Sequence, residues 1–408
     1  MTTIHLEPEP RHPPHPAAFL ILFLPFGIAS GYVSITLGYL LAEHGRASVM
    51  QVAELIALYT LPQTWKVLWA PIVDTTMSSK RWYLIAAVAT GLCLLATAIV
   101  PANVDTIGTL QILAIVLSTA SSLIAMSVER LMAYATPEQK KGRAGGWAQA
   151  GNLGGFGLGG GAGLYMAQHY APWTAGASLG VFTLLCGLAL YMLQEPPKTS
   201  EKLNYGKHLV EVGRDVWTIA FSRIGFLALL LFLLPIGTGA ASGLWSAIAG
   251  DWRADADTVA LVNGILGGLV AIPGSLLGGY LSDAMDRKTS YGVFGLVLAA
   301  WAAAMAFAPR SPEMFVLFTL GYAFLTGFTY AAFTAVTLET IGQGAAATKY
   351  NLLACVSNVP IAYMTYLNGV AHEQWGSGGM LYFEAALGVA AVAFFALVAL
   401  ATRSPKKA

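Results

Sequence analysis

Lys66 stands inside an apolar stretch, Leu61-Pro62-Gln63-Thr64-Trp65-Lys66-Val67-Leu68-Trp69. An ammonium in hydrocarbon costs several kcal/mol unless it meets water, protein or a ligand. Tyr59 and Gln63 precede it at spacings of four and then three residues, so one helical face would carry all three. A phenol, an amide and a cation in a row can hold and orient an anion. The partners for bond-making chemistry are missing from the sequence. His5, His12, His15, His44, His169, His208 and His372 fall in the tail or near span ends, and neither a nucleophile motif nor metal-ligand spacing occurs. The expected work is binding of an anionic organic solute, with no catalytic residue, metal or cofactor.

Such a stripe needs a wet crevice within a bundle, and the composition supplies the bundle. Of 408 residues, 56% are hydrophobic and 11% charged, against about 25% charged in soluble domains. A mean hydropathy of +0.63 leaves no room for a sizeable soluble domain. The chain reads as an all-α membrane protein whose partners are the lipid bilayer and a small-molecule substrate. A net charge of +1 carries no nucleic-acid footprint. Cys93, Cys186 and Cys355 all lie in apolar spans and read as buried small side chains, without a disulfide framework.

Hydropathy predicts twelve transmembrane helices: Ala18–Leu41, Val52–Val73, Trp82–Val100, Ile107–Val128, Ala144–Gln168, Thr174–Leu193, Ile219–Ala249, Thr258–Leu281, Ser290–Ala308, Glu313–Leu338, Thr348–Val370 and Gly379–Thr402. The seventh is too long for one crossing, and Pro235, Gly237 and Gly239 are expected to bend it. Residues 1–17 read as a disordered tail, 18–194 and 218–402 as two six-helix halves, 195–217 as a linker, and 403–408 as a second tail. The first apolar run is too long for a cleavable signal and is expected to remain as a span. With both termini in the cytoplasm, seventeen Lys and Arg fall on inside segments and three (Arg46, Arg253, Arg310) outside. That bias predicts a multi-pass protein of an inner, cytoplasmic membrane.

The halves repeat. Asp74 and Asp283 close spans two and eight 209 positions apart, and Glu129 and Glu339 close spans four and ten 210 apart. The run Gly279-Tyr280-Leu281-Ser282-Asp283-Ala284-Met285-Asp286-Arg287-Lys288 resembles the loop signature of the major facilitator superfamily. Its first-half counterpart has Ala70 in place of the glycine and Lys80-Arg81 displaced. The resemblance implies two pseudo-symmetric six-helix halves rocking about a central site, the major facilitator fold. It also implies a cytoplasmic gate at Asp74, Glu129, Arg130, Asp283, Arg287 and Glu339, where basic residues pair with carboxylates.

A narrower likeness lies in Lys66-x-Leu68-Trp69-Ala70-Pro71-x-x-Asp74, in Ala347-Thr348-Lys349-Tyr350-Asn351-Leu352-Leu353-Ala354 and in the glycine-rich run Gly151 to Gly163. These are similar to AmpG-type muropeptide permeases and the related acetyl-CoA transporters. Where that group carries two aspartates on the fourth helix, this chain reads Leu123 and Ser127, with Arg130 retained. A muropeptide-like solute is implied, with a siderophore or acyl-CoA-type compound as the alternative.

Other polar residues within spans extend the candidate binding set. Beside Lys66, Tyr59 and Gln63 stand Tyr32, Ser122, Tyr330, Asn358 and Tyr363. Glycines in spans five and eight are expected to give close helix packing rather than a phosphate cradle. Protons are the expected coupling ion, through Glu129 or Glu384, and a uniporter is the alternative. A monomer is expected. The rival class is a membrane receptor that binds its solute without moving it.

Overall fold

In the computed structural model, residues 15, 17–69, 73, 76–135, 141–195, 210, 213–214, 217–218, 221–341 and 346–402 are described. Most of the expected N-terminal tail, the C-terminal tail, most of the expected linker, and Asp74 lie outside the described residues, while Ala17, expected in the tail, begins α1. The side chain of Asp283 also lies outside them.

All the described secondary structure is helical. Helix α1 (Ala17–Gly31) widens into π turns at Tyr32–Leu37 and Leu40–His44. It is followed by α2 (Val49–Thr64), α3 (Ser79–Ile99) and α4 (Ile107–Ala135). Helix α5 (Lys141–Gly157) continues through a π turn, Leu158–Ala162, to His169, and α6 (Trp173–Cys186) continues to Met192. Helix α7 (Arg223–Leu233) is short. Helix α8 (Gly267–Asp283) is entered through Ala256–Val259 and a π turn at Ala260–Leu266, before α9 (Arg287–Phe307) and α10 (Pro312–Ile341). The last run, Ala346–Ala401, breaks at Gly376 (φ 67°), separating α11 (346–375) from α12 (377–401).

Eight helical runs among the described residues are long and apolar enough to cross a bilayer, and the run carrying α11 and α12, 51 residues broken at Gly376, has the length for two crossings. Helices α2 and α11 run antiparallel, Val67 meeting Leu352 and Gly369 meeting Met50, so the helix starts that hold Lys80 and Lys288 are on the same side of the bundle, the basic end; the other is the far end.

Glycine sets the closest packing. A Cβ on Gly155 would lie 2.1 Å from the Leu24 carbonyl oxygen, and one on Gly31 would lie 2.0 Å from that of Phe156. Only hydrogen fits, so α1 and α5 meet backbone to backbone. The π turns there free carbonyls that need donors in hydrocarbon. Thr36 supplies one, its hydroxyl donating to Gly159 O at 3.0 Å and to Gly160 O at 3.1 Å.

The halves meet along several lines. Helix α2 packs on α11, where Gly369 fits against Ala53 and Met50. Gly161 of α5 faces Gly264, ahead of α8, so closely that a Cβ on the latter would be 2.7 Å from the Cα of the former. At the far end Ser246 donates to Ser34 O at 2.6 Å.

Two expected spans are interrupted. After Leu233 the chain leaves the helix, with Gly237 and Gly239 at φ 59° and 69°, and re-enters helical turns only at Ala240. The left-handed conformations suit glycine, and Pro235 cannot donate the helical hydrogen bond. Helix α2 stops at Thr64, two residues after Pro62 removes a donor from its last turn, and Lys66–Leu68 form a separate 3-10 turn.

Candidate functional site

Tyr59 and Gln63 lie one helical turn apart on α2 and are buried against α4. The Gln63 amide nitrogen donates to Ser118 Oγ at 3.1 Å and to Ser118 O at 3.3 Å. The amide oxygen of Gln63 and the hydroxyl of Tyr59 are buried without a hydrogen-bond partner among the described residues. Ser30 of α1 and Ser121 of α4 are the hydroxyls nearest Tyr59, but neither meets hydrogen-bond geometry.

Lys66 does not continue that helical face. It is carried by the 3-10 turn beyond the end of α2. Turned there, it is 8% exposed, with its Nζ 4.0 Å from Glu129 Oε1 of α4. Its turn also touches the second half: Val67 packs with Leu352 and Cys355 of α11. A cation, a carboxylate and two orphaned polar atoms therefore run from mid-span toward the basic end, against a seam between the halves. The ion pair sits at the outer limit of contact distance, so Glu129 holds Lys66 without enclosing it.

The other sequence candidates separate into groups. Tyr330, Tyr363 and the unpredicted Tyr291 gather in the second half on α10, α11 and α9. Tyr330 is 55% exposed. The Tyr363 hydroxyl donates to Leu233 O at 2.9 Å and so caps the broken end of α7. Asn358 turns back on its own helix, donating to Ala354 O, and Ser122 likewise donates to Thr119 O. Tyr32 faces away from Lys66. It lines a lateral cavity of about 460 Å³ at the far end, with Thr97, His44 and Trp173.

At the basic end Lys288 pairs with Glu339 at 2.6 Å, and Arg287 opens α9 beside it. Glu339 and Glu129, the two repeated carboxylates, thus each hold a lysine. Arg130 donates to Val73 O at 3.1 Å and anchors the stretch after α2. Glu195 accepts from the N–H groups of Ser79 and Lys80, tying the end of the first half to the start of α3.

Sequence reading passed over three polar residues. Asn263 sits in the π turn before α8, and neither atom of its buried amide has a partner among the described residues. Tyr322 and Asn368 both hydrogen-bond Glu384. The available signal was a lone polar side chain in an apolar run, as in Leu261-Val262-Asn263-Gly264-Ile265.

This architecture is similar to that of solved transporters. One is a POT family transporter in complex with 5-aminolevulinic acid, at a TM-score of 0.73 and 9% identity, covering 95% of this chain and 96% of that one. Another is the nucleoside transporter NupG, at 0.71 and 13%, covering 93% and 98%. A third is a D-xylose-proton symporter, at 0.71 and 14%, covering 93% and 96%. At such identities the likeness shows the fold. None of the curated proteins matches the sequence. The sequence profile described as Major Facilitator Superfamily matches residues 18–241, more than half of the chain. A profile match of that extent, on an all-helical membrane bundle with this fold, makes the chain a member of the Major Facilitator Superfamily, a multi-pass secondary transporter and not an enzyme.

Proposed function

We propose that the chain imports a polar or amphipathic organic anion by alternating access, with Lys66 as the group that attracts it. One observation carries the reading. A buried ammonium lies at the junction of α2, α4 and α11 with its carboxylate partner standing off at 4.0 Å. An anionic group on the solute would compete with Glu129 for that ammonium. Tyr59 could then donate a hydrogen bond, and the free amide oxygen of Gln63 could accept one. Because α2 and α11 belong to different halves, a solute held there biases their rocking.

The likeness of the Lys66-to-Asp74 string to AmpG-type permeases favours a muropeptide-like solute, whose sugar and peptide parts suit a phenol and an amide. Siderophores and acyl-CoA compounds share the anionic chemistry. The excess of Lys and Arg at the basic end supports placing that end in the cytoplasm of an inner membrane.

Uptake of a labelled muropeptide into vesicles tests the proposal, after a thermal-shift screen that also includes siderophores and acyl-CoA compounds. Lys66→Ala should lower uptake at least about tenfold at equal protein level, about 1.4 kcal/mol. Lys66→Arg should retain part of it. Undiminished uptake by Lys66→Ala would refute the role.

A further inference from the structure

A second polar centre lies in the other half. Glu384 is on α12, eight residues past the break at Gly376 and thus about 12 Å along the helix. It is 8% exposed. The Tyr322 hydroxyl of α10 donates to its Oε1, and the Asn368 amide nitrogen of α11 donates to its Oε2. The Ala241 N–H faces it from the turn where the chain resumes after the α7 break. Trp245, just beyond, lies edge-on to the Tyr322 ring with centroids 5.2 Å apart. Four elements therefore converge on one carboxyl group.

Among the described residues no cation pairs with it. Glu339 of α10 is at the basic end, paired with Lys288, and the other charged groups nearby stand toward the far end. His372, one turn beyond Asn368, is 3.4 Å from Asp251, and Arg310 stacks over Trp252 at 4.2 Å.

We infer that Glu384 is a proton-binding site whose charged and neutral forms are both held by Asn368, and that its charge pins the broken segment of α7. A carboxylate only accepts hydrogen bonds, and here it takes two, from Tyr322 and Asn368, with the Ala241 N–H nearby. A protonated carboxyl must also donate one. The Asn368 amide oxygen, buried and without a partner among the described residues, is an unoccupied acceptor within reach. A half-turn of that amide exchanges its nitrogen for its oxygen at the same place. The step balances simply. A hydronium ion gives its proton to Oε2 and leaves as water, the hydrogen bond from the amide nitrogen to Oε2 breaks, and Oε2–H donates to the amide oxygen.

Neutralisation removes the charge that faces the Ala241 N–H. The hold on the stretch from Leu234 to Leu244 then weakens, where Gly237 and Gly239 give the backbone freedom to move. The same element reaches the first half through Ser246 and Ser34. Proton occupancy is thereby linked to the seam between the halves. The link to solute movement rests on the transporter reading; the proton site itself does not.

Infrared difference spectroscopy of the purified protein in lipid, stepped between about pH 4 and about pH 9, needs no solute. The wild-type spectrum should contain the carbonyl band of a buried carboxylic acid that titrates in this window. That band should vanish in Glu384→Gln, persist at an altered midpoint in Glu384→Asp, and shift in Asn368→Leu. Trp245 fluorescence, isolated by subtracting Trp245→Phe, should follow the wild-type midpoint. An identical band in wild type and Glu384→Gln, or none in either, overturns the site. A band with unmoved Trp245 fluorescence overturns the link to α7. If Glu384→Gln does not fold, Glu384→Asp and Asn368→Leu give the same decision through midpoint and frequency. Loss of muropeptide uptake with this titration intact would count against the solute reading alone.

Discussion

The Lys288 ammonium lies 2.6 Å from Glu339 Oε1, while the carboxylate at the repeated position of the first half, Glu129, stands 4.0 Å from Lys66. The pseudo-equivalent acids thus do different work. Glu339 joins the start of α9 to the end of α10 within one half. Glu129 holds its lysine loosely at the boundary with the other half. A tight pair suits structure, and a loose one leaves the cation open to exchange its partner.

The Lys288–Glu339 pair is partly exposed, so its energy is small. A double-mutant cycle with Lys288→Ala and Glu339→Ala, read by thermal unfolding, should give a coupling of about 0.5–1 kcal/mol that shrinks with added salt. A coupling of zero at low salt would show that the contact stabilises nothing.

Glycine substitutions should divide by available space. Gly155→Ala puts a methyl 2.1 Å from the Leu24 carbonyl and must push α1 from α5. A loss of about 1–3 kcal/mol is expected. Gly279→Ala meets nothing within 4 Å on its helix, so it should be neutral or stabilise by up to about 1 kcal/mol. Thermal unfolding of the two variants side by side decides, and equal melting temperatures would contradict the backbone contact.

Asp251 at the far end is hydrogen-bonded by His372, and this contact, helped by Ser377 and the charges of His372 and Arg310, holds its carboxyl below the usual carboxylate range despite partial burial. A carboxyl lowered in the folded state contributes stability above its unfolded value, and loses it as pH falls through the folded value. Stability should therefore drop on acidification below about pH 4, and Asp251→Asn should flatten that part of the profile. Melting temperature against pH for the two proteins checks this. Superimposable acid limbs would rule out the contribution.

Much of the architecture was legible in the chain. The start expected at Trp82 falls at Ser79, and the end expected at Ala308 falls at Phe307, because apolar length and flanking charge mark where hydrocarbon begins. The bend expected at Gly237 and Gly239 is a full break, since each takes a left-handed φ and the intervening backbone leaves the helix. The site was less legible. Helical spacing put Lys66 on the face of Tyr59 and Gln63, but Pro62 ends α2 before it and the 3-10 turn re-aims the ammonium.

By itself the sequence determined that this chain fills a membrane, that its two halves repeat, and that it spends a costly lysine inside. Each follows from transfer free energy along the chain, a local property of residue type and order. Only the tertiary structure decided which carboxylate answers which lysine, and that Tyr322, Asn368 and Glu384, spread over 63 positions of sequence, close on one another. Those meetings depend on how deep each helix sits and how closely its glycines let the neighbour approach, and no spacing within a single helix encodes either.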